Sequence, residues 1–250
     1  MPLRLAFDLD GVFADMDSAL ANVAEQLFGD RAVARPPSDL LPESIVNATR
    51  VKKTAAEVAF EQLAPLPELR LGARERQRLW QRVTETENFW ETLSEIEAGA
   101  VTRLARLASD LRWETIFLTS RPETAGANSQ VQSQRWLAAH GFPLASVFVV
   151  STGRGRVAAA LDLNIVVDDT PSSCLDVVAD SRAGAVLVWR RDEALIPPAA
   201  RQLGIGIVRS LEECFDVLKE IDVADKAPGL VDRIRKLFRS GDSLAGSSGT

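Results

Sequence analysis

Histidine and cysteine are scarce in this 250-residue chain: one histidine, His140, and two cysteines, Cys174 and Cys214. The two cysteines lie 40 positions apart and give no metal-ligand spacing with the lone histidine, so a structural zinc centre is not expected. They read as buried, reduced thiols. One histidine also leaves a Ser/His/Asp hydrolase dependent on a chance neighbour, and His140 reads instead as a helix-end residue. Positive charge is in deficit, 29 Lys+Arg against 35 Asp+Glu, for a formal net charge of −6. A groove for a nucleic-acid polymer needs the opposite sign. A small phosphate ester is not excluded, because a divalent cation can supply positive charge locally. No apolar run reaches the roughly 18 residues of a membrane-spanning helix. The opening Met-Pro-Leu-Arg-Leu-Ala-Phe-Asp meets charge at once and does not read as a signal peptide. The cytoplasm is the expected compartment.

What is present is a hydrophobic content of 46%, enough for a core that needs no disulfides. Residues 3–9 read as a short buried strand ending at the turn Asp10-Gly11. Residues 15–28 carry helical spacing, and Pro36, Pro37 and Pro42 then break the pattern. From about residue 43 to 87 the text is helical, interrupted at Pro65 and Pro67. After Gly99, strand and helix alternate: helix 101–111, strand 113–119, helix 130–140, strand 147–151, helix 156–161, strand 165–167, helix 172–180, strand 185–189. That rhythm predicts an α/β fold, a Rossmann-like parallel sheet with helices on both faces. A helix over 210–220 follows, with Ser210 as N-cap and Glu213 closing a capping box. The expected division is a catalytic core of residues 1–16 and 99–225 and a helical cap of residues 17–98 inserted after the first strand. Residues 226–250 are expected to hold an amphipathic helix at 230–238 and a disordered tail.

Three strand ends carry unusual polar residues. The first is Phe7-Asp8-Leu9-Asp10-Gly11-Val12. The second is Leu118-Thr119-Ser120-Arg121-Pro122. The third is Val166-Val167-Asp168-Asp169. Residues two apart on a strand point the same way, so Asp8 and Asp10 repel unless a cation or a proton intervenes. Each piece alone is an ordinary turn or cap composition. Together they bring four carboxylates and a hydroxyl to the carboxyl edge of one parallel sheet, where such sheets bind ligands. Four carboxylates suit a hard, oxygen-liganded ion such as Mg²⁺.

Asp8-x-Asp10-Gly11-Val12, Thr119 and Asp168-Asp169 resemble the first, second and fourth motifs of the haloacid dehalogenase-like (HAD) phosphatases, over residues 3 to about 190. The resemblance implies Asp8 as a nucleophile forming an aspartyl-phosphate. Asp10 would protonate the leaving oxygen and then activate water. It also implies Mg²⁺ held by Asp8, the backbone carbonyl of Asp10, and Asp168 or Asp169. Phosphoryl oxygens would be met by Thr119, by Ser120 and by nearby N–H groups. Two details, Asp15 and the pair Phe89-Trp90, resemble the 5′(3′)-deoxyribonucleotidase branch. Phe89 and Trp90 read either as core aromatics at the junction of cap and core or as a platform to stack on a base, and Lys52 and Lys53 either as solvated lysines or as partners of a second anion. The family's third motif is usually a lysine. Residues 151–162 contain none, and Arg154 is the best positional match, with Arg156 next. Arginine keeps the charge but is planar and bulkier; otherwise both arginines are solvated loop residues.

The expected function is therefore Mg²⁺-dependent hydrolysis of a small phosphomonoester, a phosphorylated metabolite or nucleotide. Two alternatives stand beside it. One is phosphoryl transfer or phosphonate hydrolysis on the same scaffold. The other is a non-enzymatic, degenerate HAD-fold binding or regulatory protein, motivated by the absent lysine.

Overall fold

A computed structural model describes residues 2–29, 69, 71–151 and 153–225. The proline break at 36–42, Pro65, Pro67, Lys52, Lys53, the predicted helix 230–238 and the tail lie outside the described residues.

Six parallel strands form one sheet: β1 (Arg4–Asp8), β2 (Glu114–Thr119), β3 (Ser146–Val149), β4 (Ile165–Asp168), β5 (Gly184–Val188) and β6 (Gly206–Val208), in the order β3-β2-β1-β4-β5-β6. The predicted Rossmann-like α/β fold is the observed one. Side chains alternate between the two faces as the pleat requires. Leu5 and Phe7 of β1, Ile165 and Val167 of β4, and Val186 and Val188 of β5 enter one buried cluster. Ala6, Val166, Ala185 and Leu187 enter the other. Each fully buried Leu, Val or Phe adds about 1.5–3 kcal/mol, so a one-residue slip of any central strand would expose its whole set.

Helices cover both faces. On the first lie α1 (Met16–Phe28), α3 (Ala100–Leu111), α4 (Ser129–Ala139) and α8 (Leu211–Asp225), which bury Leu20, Leu104, Trp136 and Phe215 there. On the second lie α5 (Arg154–Ala160), α6 (Pro171–Asp180) and the short α7 (Pro198–Gln202), with Ala158, Val177 and Ala200 inside. Helix α2 (Ala73–Glu85) joins α1 through a small cluster of Ala24, Leu71 and Leu79, while its Trp80 and Val83 reach the main core. Local chemistry fixes the starts. Asp15 Oδ1 accepts the Ser18 N–H at 3.0 Å, and Asn128 Oδ1 accepts that of Val131 at 2.9 Å. Pro171 opens α6 at a position whose N–H has no helical partner.

Three expectations change in detail. Ser210 Oγ accepts the Glu213 N–H at 3.1 Å, but Glu213 reaches back to the Arg209 N–H at 2.7 Å, not to that of Ser210. The capping box is half formed. The edge strand β6 and helix α7 carried too little pattern to be read: β6 has three residues and starts on glycine, and α7 has five residues and starts on Pro198, behind Pro197. Arg154 and Gly155, read as loop, form the first turn of α5. Cys174 and Cys214 are both buried and unpaired, on opposite faces of the sheet. No described helix is long and apolar enough to cross a membrane.

Candidate active site

The strand order reverses at β1, whose neighbours are β2 and β4. Register then decides which residues meet. Phe7 pairs with Val167, so Asp8 and Asp168 come next on adjacent strands; Asp8 pairs with Leu118, so Thr119 lies one step beyond. The three strand ends singled out in the sequence therefore share one edge, at the point where such sheets open a crevice.

Carboxylate oxygens of Asp8, Asp168 and Asp169 all lie within 4.8 Å of one another. Asp168 is 1% exposed and Asp8 7% exposed. Burial drives the Asp8 carboxyl well above the usual carboxylate range, against the lowering pull of Arg154 and with added repulsion from Asp168, Asp10 and Asp169. Asp168 is also raised, by burial, although Arg154 and the Thr170 N–H pull it back. Asp169 is pushed up to about 7, by burial and then by the charge of Asp168. Asp169 packs over Gly11, where an added Cβ would stand 2.1 Å from its Oδ2. Gly11 has φ +77°, so both backbone and space require glycine there.

Arg154 enters this cluster from the first turn of α5. Its Nη2 donates to Asp8 Oδ1, and its Nε lies 3.4 Å from Asp168 Oδ2. Burial works against its charge, but Asp8 and Asp168 outweigh it and raise its pKa. Its Nη1 is buried without a hydrogen-bond partner, as is Asp168 Oδ2. Arg156, two positions on, is exposed. Of the two arginines, it is Arg154 that stands among the carboxylates.

The Asp10 carboxylate is bound by Arg121. Arg121 Nε donates to its Oδ2 at 2.9 Å and Nη2 to its Oδ1 at 2.8 Å. Thr119, wholly buried, donates from Oγ1 to Asp10 Oδ2 at 3.4 Å. Arg121 was visible in the sequence only as the cation after two hydroxyls. Its partnership spans 111 positions, and no local pattern announced it.

Four residues singled out in the sequence are placed elsewhere. Ser120 donates its hydroxyl to the Val150 carbonyl at 3.1 Å, so its hydroxyl hydrogen goes to the β3 side and not to a phosphate. Phe89 and Trp90, in a single turn of 3-10 helix (Phe89–Glu91), are 4% and 0% exposed. Their rings pack edge to face at 5.1 Å inside the main core, which leaves no open ring for a base. Asp15 is the N-cap of α1.

The donor set fits a divalent cation. It consists of three carboxylates, all hard oxygen ligands, with one buried oxygen lacking a hydrogen bond. One guanidinium does not balance their charge.

No family model and no curated protein matches this chain. Solved structures do. A HAD family hydrolase from Deinococcus radiodurans, crystallised with bound phosphate and sodium, aligns over 88% of this chain and 96% of its own at 17% identity, with a TM-score of 0.50. The fold is that of the HAD hydrolases. A haloacid dehalogenase-like family hydrolase from Xanthomonas campestris covers 89% of this chain and 96% of its own at 16% identity, with a TM-score of 0.46. The narrower nucleotidase resemblance finds no support in these comparisons.

Proposed function

We propose that this chain is a phosphohydrolase for small phosphomonoesters in which Asp8 is the nucleophile. The observation that carries the proposal is the meeting of Asp8, Asp168 and Asp169 around Arg154 at the carboxyl edge of the sheet. A carboxylate can attack an anionic phosphate only where positive charge and donors offset the repulsion.

An Asp8 carboxylate oxygen attacks phosphorus, and the bond from phosphorus to the ester oxygen breaks. The departing oxygen takes a proton from Asp10. Asp10 then removes a proton from water as that water attacks phosphorus, which frees Asp8 and inorganic phosphate. Arg154 Nη1, which has no hydrogen-bond partner among the described residues, meets a phosphoryl oxygen, and the Thr119 hydroxyl, a long 3.4 Å donor to Asp10, would turn its hydrogen to another. Arg154 takes the place of the family's lysine, and its paired, buried guanidinium supports a working site over a degenerate one. Mg²⁺ would be held by Asp8, Asp168 or Asp169, and the Asp10 carbonyl, and would supply Lewis-acid charge when bound.

With Phe89 and Trp90 buried, the stacking argument for a nucleotide base is withdrawn. Substrate choice is assigned to the cap, proposed over residues 17–98, and the compartment to the cytoplasm, which suits two unpaired thiols. The test is release of inorganic phosphate from sugar phosphates, nucleoside monophosphates and p-nitrophenyl phosphate, with and without Mg²⁺. Turnover should require Mg²⁺ and vanish in Asp8→Asn. Turnover unchanged in Asp8→Asn would defeat the proposal.

A further inference from the structure

We infer that Arg121 is a positioning residue of this site, holding the Asp10 carboxylate beside Thr119 in the orientation that serves the leaving oxygen; the inference rests on the phosphohydrolase reading above. The Arg121 side chain has no exposed surface. Its Nε and Nη2 are spent on both oxygens of Asp10, and its Nη1 donates to Ser133 Oγ at 3.0 Å. Its backbone N–H donates to Thr119 Oγ1 at 3.2 Å, so one residue ties the first strand end to the second. Each side-chain nitrogen of Arg121 thus donates to a partner within the protein.

The guanidinium is itself held. It lies 5.1 Å from the Trp90 ring and 6.0 Å from that of Trp136. Trp90 Nε1 donates to the Pro122 carbonyl at 2.9 Å, and Trp136 Nε1 to that of Leu93 at 2.7 Å. Ser133 Oγ donates to the Ser129 carbonyl at 2.7 Å. Burying a guanidinium costs several kcal/mol unless its geometry is well met. A planar fork packed against two anchored indoles can hold a carboxylate in one orientation, which a flexible lysine cannot. Helix α4 and the turn at Phe89–Glu91 thus reach the chemistry through Arg121 and not through substrate. The Trp90 that the sequence offered as a stacking platform holds Arg121 instead.

The experiment is a double-mutant cycle between Arg121→Met and Asp10→Asn, with kcat and KM measured on p-nitrophenyl phosphate and on an alkyl phosphate. A misplacement near 1 Å costs about 100-fold, so Arg121→Met should lower kcat on the alkyl ester by about that factor with KM unchanged. The loss should be smaller on p-nitrophenyl phosphate, whose phenolate departs without a proton donor. The double variant should fall no further than Asp10→Asn alone, and Arg121→Lys should recover part of the rate. Losses that multiply, or equal losses on the two esters, would overturn the inference while leaving the phosphohydrolase reading intact. A wild-type protein that releases no phosphate from any ester would overturn both. Should Arg121→Met fail to fold, Ser133→Ala removes the Nη1 bond and the Ser133–Ser129 bond while leaving both Arg121 bonds to Asp10. The same cycle then applies, with non-additivity expected and additivity decisive against it.

Discussion

Replacing Arg154 with alanine removes the cation that pairs with Asp8 and Asp168. The guanidinium bridges Asp8 and Asp168 across a space in which both are nearly inaccessible to water. Breaking a buried pair by deleting one partner costs about 3–5 kcal/mol, because the survivor keeps its desolvation penalty. Part of that is recoverable here. Asp8 and Asp168 already hold protons more tightly than an ordinary carboxyl, through burial, and the variant can shed charge by taking up a proton. A loss near the lower end, about 3 kcal/mol at pH 8, is the expected result. For a chain of this size that is a fall of about 6–12 °C in Tm. The sign of the pH dependence follows. A carboxyl whose folded pKa is raised binds more protons folded than unfolded, so its destabilisation is full above the folded value and relieved as pH falls through it. The Arg154→Ala penalty should therefore shrink between pH 8 and pH 5. The assay is urea or thermal unfolding of wild type, Arg154→Ala and Arg156→Ala at both pH values, beside phosphate release. Exposed Arg156 should move stability by less than about 0.5 kcal/mol and activity far less than Arg154. Equal and negligible effects from the two would refute the assignment of Arg154 to the lysine position.

Two further outcomes follow from the same cluster. Mg²⁺ should raise the unfolding temperature, by about 2.7 kcal/mol of stability when its concentration is 100 times its dissociation constant. The gain should be larger at pH 8 than at pH 5.5, because Asp169, sitting near 7, carries a proton at the lower pH that the metal must displace; a gain unaffected by Asp168→Asn would place the ion elsewhere. Gly11→Ala, at φ +77° with Asp169 2.1 Å from the new carbon, should cost about 1–3 kcal/mol and weaken Mg²⁺ stabilisation, and a variant that binds Mg²⁺ as wild type does would show that Asp169 is not a ligand.

Where reading from the sequence failed, the failures share a cause. Ser120 was a hydroxyl beside the right strand end, but Thr119 and Ser120 are adjacent and point to opposite sides, so only one can face Asp10 while the other bonds Val150. Phe89 and Trp90 were open to two readings, core aromatics or a stacking platform. Burial, which composition does not report, made them core and a support for Arg121. Strand β6 escaped because three residues beginning on glycine carry almost no period.

The sequence by itself determined the alternation of strand and helix, the parallel sheet, and the acidic strand ends that would lie along its edge. These follow from apolar period, capping side chains and turn residues, all acting within a few positions. Only the tertiary structure decided which cation meets which carboxylate. Arg154 joins Asp8 across 146 positions and Arg121 joins Asp10 across 111. Both pairings depend on strand order and register, which place distant segments side by side, and a short-range pattern holds no record of that distance.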